Sequence, residues 1–337
     1  MTDAQGGGGS AQSLRIVAMV LTALTGPGVG HFHVGSWRRG LSWMVVTPVF
    51  VVAVATHVET LGGRLGFDLV VPVLVGGPLA IWLGSVIDIF VVGRRARRAT
   101  RVFVVASAAL VSLLLGAGTA LGVDAFVLEA FRVPSTSMMP TLTVGDHIMV
   151  DKRAGLRRGD VAVFVFPEDP RQVYVKRVIG LPGDSVSFAG STVLVNGVAL
   201  PRCTLGPARW IDERPREATL ALERNGEQAY LTQEEARHDA PVSREMYTVK
   251  DGEIFVMGDN RNNSHDSRFW FGGRGGGVPF SQVKGRALFR WASTRGQATR
   301  HERVGTSLGV PILPAGTGAL SGALERCMAS DTGHPRG

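Results

Sequence analysis

Cysteine is nearly absent: Cys203 and Cys327 are the only two in 337 residues. Two thiols cannot build a zinc centre or a disulfide framework, which leaves room for one bridge and no more. Lysine is almost as scarce. Lys152, Lys176, Lys250 and Lys284 are the only four, so chemistry that needs an amine has a very short list of candidates. Charged residues make up 19% of the chain against 45% apolar ones, and the apolar ones crowd into the first third. The formal net charge of +8 does not indicate a nucleic-acid partner. The arginines cluster beside the apolar stretches, where membrane topology accounts for them.

Residues 1–13, with GGGGS at Gly6 to Ser10, read as a flexible N-terminus and are set apart from the fold. Residues 14–123 read as a transmembrane region. Val102 to Val123 runs 22 residues without a charge, about 33 Å of helix, which matches the hydrocarbon thickness of a bilayer. Leu69 to Val92 is longer but holds Pro72, Pro78 and Asp88; Leu41 to Thr56 is short for a span. Three spans are expected, with Ile16 to Gly30, interrupted by TGPGVG, as a fourth candidate. Arg38 and Arg39 precede the first of the three, and GRRARRATR (Gly93 to Arg101) separates the second from the third. Placing both clusters in the cytoplasm sends everything after Asp124 to the outer face. In GPGVGHFHVGSWRRG, His31 and His33 are too few to make a metal site; a Gly-rich turn with interfacial histidines is the plainer reading. Asp88 marks either a polar pathway or a helix–helix contact.

From there the pattern changes. Residues 124–302 hold short β-type runs such as DHIMVDK, DVAVFVF, VYVKRVIG, DSVSF and EIFVMGD, separated by the turn signals RRGD, LPGD and VNG. An all-β domain follows, with an inserted subdomain at about 201–245 that is more charged and less periodic. That insertion has room for a short helix near Thr232 to His238. Residues 303–337 form a Gly/Ala/Pro-rich tail, expected to be poorly ordered.

Within PSTSMMPTL (Pro134 to Leu142), two prolines fix φ and restrain the residues before them, so Ser137 sits in a stiff segment. A serine hydroxyl is a weak nucleophile that needs a base. His147, beside Asp146, and His265 are the candidate bases among the histidines of the β domain outside its insertion. A Ser-His-Asp reading through His147 has poor geometry, because neighbours on a strand point to opposite faces. Lys176 is the other candidate. In VYVKRVIG it shares a face with Val178 while Val175 and Arg177 take the other, so one of the two basic residues must point inward. Burial would lower the lysine pKa and leave a neutral amine; an edge strand would instead let Lys176 snorkel to water. Spacing alone leaves both open. GTSLG (Gly305 to Gly309) and SQVK (Ser281 to Lys284) match hydrolase patterns by accident, since the required context is missing.

VPSTSMMPTL, RRGDVAVFVFPEDP, YVKRVIGLPGD and GDNRNNSHDSRFW follow one another between Phe131 and Ser293. In content and order they resemble the sequence boxes of bacterial type I signal peptidases (leader peptidases), membrane serine proteases with a Ser/Lys dyad. The resemblance implies a mostly β protein: a signal-peptidase-like all-β catalytic domain with an inserted subdomain, preceded by an α-helical transmembrane region. It implies Ser137 as nucleophile and Lys176 as general base. Ser135 would join the Ser137 N–H in the oxyanion hole, and Ser264 would orient the lysine amine. Asp266 and Arg268 resemble a supporting ion pair, a kind worth little when it lies at the surface. The expected reaction is cleavage of signal peptides from exported preproteins after small residues at −1 and −3. Val133, Met138, Leu142, Tyr174 and Val175 would line shallow apolar pockets, or serve as core, or both.

No metal or other cofactor is implied. The implied partners are signal-peptide-bearing preproteins and the lipid bilayer, with the secretion translocon as a further candidate. The implied location is the bacterial inner (cytoplasmic) membrane, multi-pass, with the catalytic domain on the outer or periplasmic face. Asn262 stands where the family often carries an acid. The alternative is a catalytically inactive relative serving as a membrane scaffold or substrate-binding module, against which the intact Ser137, Lys176 and Ser264 set argues. FWFGGRGGGVPF (Phe269 to Phe280) is more Gly-rich than the matching family turn, and its aromatic cluster belongs either to the bilayer interface or to the core.

Overall fold

The computed structural model describes residues 7–92, 101–211, 215–235 and 246–330. The chain divides into two compact units, Met1–Leu128 and Glu129–Gly337.

The first unit is helical: α1 (Gly7–Thr25), α2 (Val29–His33), α3 (Trp37–Thr56), α4 (Val58–Leu65), α5 (Phe67–Val92) and α6 (Val102–Phe126). α3, α5 and α6 are long and apolar enough to cross a membrane, while the apolar part of α1, Gln12–Thr25, is shorter. α1 starts at Gly7, inside the stretch expected to be flexible. Arg38 and Arg39 lie within the first turn of α3 rather than ahead of it; the cluster at 93–100 falls outside the described residues. Asp88 of α5 accepts hydrogen bonds from Arg39 (2.7 Å) and Trp43 (2.9 Å) of α3, and lies 3.0 Å from Nε2 of the buried His31 of α2. A carboxylate in an apolar helix is costly unless paired. Asp88 is therefore a tie among three helices, and it occupies the histidine that the sequence offered to a metal. Among the described residues no three His, Cys, Asp or Glu side chains come together to hold an ion.

The second unit is built from β1 (Leu128–Arg132), β2 (Asp146–Asp151), β3 (Val161–Val165), β4 (Val173–Gly180), β5 (Ser185–Ala189), β6 (Thr192–Val195) and β7 (Val198–Ala199). There follow β8 (Arg202–Ile211), β9 (Pro215–Asn225), β10 (Gln228–Glu235), β11 (Tyr247–Thr248) and β12 (Glu253–Met257). The turn α7 (Trp270–Gly273), β13 (Val278–Pro279), β14 (Val283–Arg295), β15 (Ala298–Thr299) and α8 (Ser321–Ala329) complete it. The main sheet runs β1-β2-β14-β3-β4-β12-β13, with β15 on β14; β10-β9-β8 and β11-β5-β6-β7 form two smaller sheets. Alternation in β2 puts Ile148 and Val150 inward, where they join Val133, Met138, Leu142, Val161 and Val163 in one core.

Two expectations give way. Thr232 to Glu235 belong to β10, not to a helix, because each residue of Gln228–Glu235 pairs across to β9; cross-strand pairing outweighs the local helix preference of a Glu-rich run. Residues 236–238 lie outside the described part. The tail is not loose through residue 330. It returns along β14, with Leu308 N–H donating to Leu288 O at 2.9 Å, and buries Leu308 in the main core. It then ends in α8, which packs on β8 and β9. Its few apolar anchors, spaced among Gly, Ala and Pro, are enough because each lands on a preformed face. Cys327 of α8 and Cys203 of β8 form a disulfide with Cα atoms 5.8 Å apart.

Candidate active site

The two adjacent methionines explain how the serine-bearing loop is held. Met138 points into the main core, beside Ile148, Val150 and Leu308. Met139 points the other way, into the core of the three-stranded sheet with Leu220, Leu222 and Cys327. Both side chains are fully buried, so the loop is riveted to two cores immediately after Ser137. Polar contacts finish the job. The Asn260 N–H donates to Ser137 O at 3.1 Å and Asn260 Nδ2 to Thr136 O at 3.2 Å. Further along, Thr141 O accepts from both Arg290 and Arg303.

Lys176 enters from β4, an interior strand between β3 and β12, so snorkelling to water is closed to it. Its Nζ lies 2.7 Å from Ser137 Oγ and 3.1 Å from Val175 O, and 5.1 Å from the centre of the Tyr174 ring. Burial lowers its pKa from 10.5 to about 8; Asp266 and Asp259 oppose that shift and Arg268 adds to it. About a tenth of the amine is then uncharged at pH 7, against far less for a free lysine, at the position where it can take the Ser137 proton. Arg177 is buried as well, so both basic neighbours point inward, not one. The second face of β4 is covered by the insertion: Arg177 bonds Asp259 through two nitrogens at 2.7 and 2.6 Å and lies 3.9 Å over the Tyr230 ring of β10.

Ser135 Oγ is 3.2 Å from Ser137 Oγ, close enough to serve an anion forming there. Ser264 is adjacent in space but differently engaged. Its Oγ is buried without a well-formed hydrogen bond, so the expected bond to the Lys176 amine is not made. It leans on Asp266, whose carboxyl burial would raise but which Arg268, the Gly258 N–H and Ser264 together hold below its usual value. Asp266 and Arg268, expected as a surface pair, are buried and bidentate at 2.8 Å. Gly258 is required by contact: a Cβ there would stand 2.3 Å from Ser264 Oγ and 2.4 Å from Ser137 O.

A cleft of about 550 Å³ opens onto Ser135, Ser137 and Lys176, walled by Tyr174, Val175, Asn263 and His265. Of the five pocket candidates, Tyr174 and Val175 line it. Val133, Met138 and Leu142 do not; they are core beneath the loop, packed against Ile148, Val150 and Val161. His265 reaches the cleft with its ring edge-on to Phe166. His147 packs against Trp291, and its neighbour Asp146 is taken by Arg303 and Ser293 at 2.6 Å each, so no Ser-His-Asp set forms. Asn262 clasps the Glu235 backbone, accepting its N–H at 2.8 Å and donating to its carbonyl at 2.6 Å. An amide can do both; an ionised carboxylate could not. In the Gly-rich turn Trp270 is core, whereas Phe271 is partly exposed at φ +54°. Gly258, Asn260, Met139 and Tyr230 were not singled out from sequence. A glycine closing an apolar strand at GDNRNNS was the available signal for the first two.

The family profile described as "Signal peptidase, peptidase S26" matches residues 106–292. A signal peptidase I of Pseudomonas aeruginosa is 37% identical over 193 residues, which cover 50% of this chain and 66% of that one, just under two thirds of its length. A signal peptidase I of Leptolyngbya laminosa is 35% identical over 183 residues, covering 51% and 72%. A solved signal peptidase I from Enterococcus faecalis V583 is 28% identical, covering 40% of this chain and 97% of that one, with a TM-score of 0.23.

Proposed function

Since the chain belongs to the signal peptidase family, peptidase S26, we propose that it is a membrane-anchored serine endopeptidase that cleaves signal peptides from exported preproteins. The observation that carries this is the 2.7 Å approach of the Lys176 amine to the Ser137 hydroxyl, with the amine pKa lowered to about 8 by burial. Lys176 takes the Ser137 proton as Oγ attacks the scissile carbonyl. The tetrahedral oxyanion is met by the Ser135 hydroxyl and the Ser137 N–H. Lys176 then protonates the leaving amine, and a water activated by the same lysine releases the acyl group. Tyr174 and Val175 form the wall against which the residues at −1 and −3 must fit, which favours small side chains.

The proposed setting is the outer face of the bacterial cytoplasmic membrane. Two observations support it. Arg39 at the start of α3 pairs with Asp88 near the end of α5, so these two helix ends share one side of the helical unit. A disulfide in the second unit fits an oxidising compartment. The test is to incubate the detergent-solubilised protein with a preprotein carrying an A-x-A cleavage site. Cleavage after the second alanine is expected, and Ser137→Ala and Lys176→Ala should each reduce it at least a thousandfold while the fold is kept. A wild-type protein that binds the preprotein without cutting it would instead be a scaffold or binding module.

A further inference from the structure

Beyond residue 292, where the family match ends, the chain builds something that touches the reaction indirectly. We propose that the disulfide-tied C-terminal helix and the three-stranded insertion sheet form a seat for Met139 that sets the position of Ser137, making Met139, with the Cys203–Cys327 bond behind it, a positioning device for catalysis. The inference rests on the peptidase reading for its kinetic test only.

The geometry is specific. Met139 is two residues from Ser137, fully buried, and its side chain lies not in the core of the main sheet but with Leu220, Leu222 and Leu231 of the insertion. An isolated three-stranded sheet has two faces, and the face holding Met139 must be closed from outside. α8 and the turn leading into it close it: Leu320 of that turn and Leu324 and Cys327 of α8 pack on the same cluster. The approach is close enough that a Cβ at Gly206, held at φ +133°, would touch Leu320 at 3.4 Å. α8 is fixed at two points, by the disulfide to β8 and by a hydrogen bond from Arg224 of β9 to Met328 O at 3.0 Å. A short helix with so few apolar anchors would otherwise fray. Without it, water reaches the floor of the Met139 seat, and the loop loses one of its two rivets next to a serine whose 2.7 Å bond to Lys176 tolerates little displacement.

The experiment compares wild type, Met139→Ala, Met139→Leu, the Cys203→Ala/Cys327→Ala pair, and the pair combined with Met139→Ala. Each is assayed well below its own melting midpoint. Met139→Ala and the cysteine pair should each lower kcat tenfold or more with KM within twofold. Met139→Leu, which conserves volume, should restore most of the rate, and the combined variant should be little worse than either parent, because both act through one seat. In parallel, ¹³C-labelled lysine is titrated by NMR; with only four lysines the Lys176 signal is assignable, and its pKa should rise toward 10.5 in both loosened variants as water enters. Variants that melt earlier but keep kcat within twofold, losses that are strictly additive or carried in KM, or an unmoved Lys176 titration overturn the proposal. If wild type cleaves no preprotein, the peptidase reading fails, and the lysine titration still decides this one.

Discussion

On the proposed mechanism, a lysine amine kept from water sets both the rate and the stability of this unit. Lys176 titrates near 8 when folded and near 10.5 when free, so kcat/KM should rise with pH and reach half its maximum near pH 8; a histidine base would place that midpoint between about 6 and 7. The same shift has a thermodynamic sign. Between pH 8 and 10.5 the unfolded chain holds a proton that the folded one lacks, so stability climbs with pH across that window and the penalty is complete below 8. Lys176→Met should therefore be more stable at pH 7, by on the order of 3 kcal/mol, and should flatten the climb; urea melts at pH 7 and pH 10 check both. Gly258 gives the opposite case. Gly258→Ala forces a Cβ to within 2.3 Å of Ser264 Oγ and 2.4 Å of a backbone carbonyl, which should lower kcat at least tenfold and cost about 1–3 kcal/mol in a denaturant titration. Lysine scarcity and a proline-stiffened hydroxyl marked out Lys176 and Ser137 as candidates, but spacing left the direction of the lysine open and only the family resemblance implied the dyad. Gly258 and Asn260 were not marked out, since what matters about them is the distance to a loop more than a hundred residues away.

Between elements, the insertion is bound to the catalytic sheet by charge as much as by apolar contact. Arg177 of β4 pairs with Asp259 and stacks on Tyr230 of β10, while Glu223 of β9 takes Arg261 and the Tyr230 hydroxyl. These side chains are all buried, and the parallel bridge Gln233↔Asn260 joins the same two parts through the backbone. Removing one partner leaves a stranded charge, so Asp259→Ala should destabilise the unit by about 3–5 kcal/mol. It should also slow cleavage, since Asn260, which holds the Ser137 carbonyl, is the next residue; urea denaturation and kcat on one preparation check the two effects. The strands of the main sheet were legible as short β-type runs between turn signals, and the spans as long apolar stretches with few charges. The insertion was visible only as a change of composition, because its consecutive hairpins are buried on both faces and so show no strict alternation. The tail was misread for a related reason: Leu308 and Leu324 look isolated in a Gly/Ala/Pro background until the faces that receive them exist.

For the whole molecule, topology and redox state are one question. The bond between Cys203 and Cys327 closes a loop of 124 residues, and restricting the unfolded chain over that length is worth about 4–5 kcal/mol in the loop-entropy picture. That stabilisation exists only where thiols stay oxidised, which for most bacteria means beyond the cytoplasmic membrane. The second unit begins almost where α6 ends, at Phe126, so the side on which α6 emerges is the side on which the bond must survive. Arg39 and Asp88 put the start of α3 and the end of α5 together, and in the proposed topology a single further crossing by α6 would carry the chain to the opposite side. Protein made in spheroplasts should then resist a membrane-impermeant maleimide until a dithiol is added, and afterwards react at two sites. Protease added outside should remove the second unit and spare the helices. A second unit protected from external protease would lie in the cytoplasm, where neither the disulfide nor an emerging preprotein would be found; cysteines that label from outside without reduction would overturn the disulfide instead.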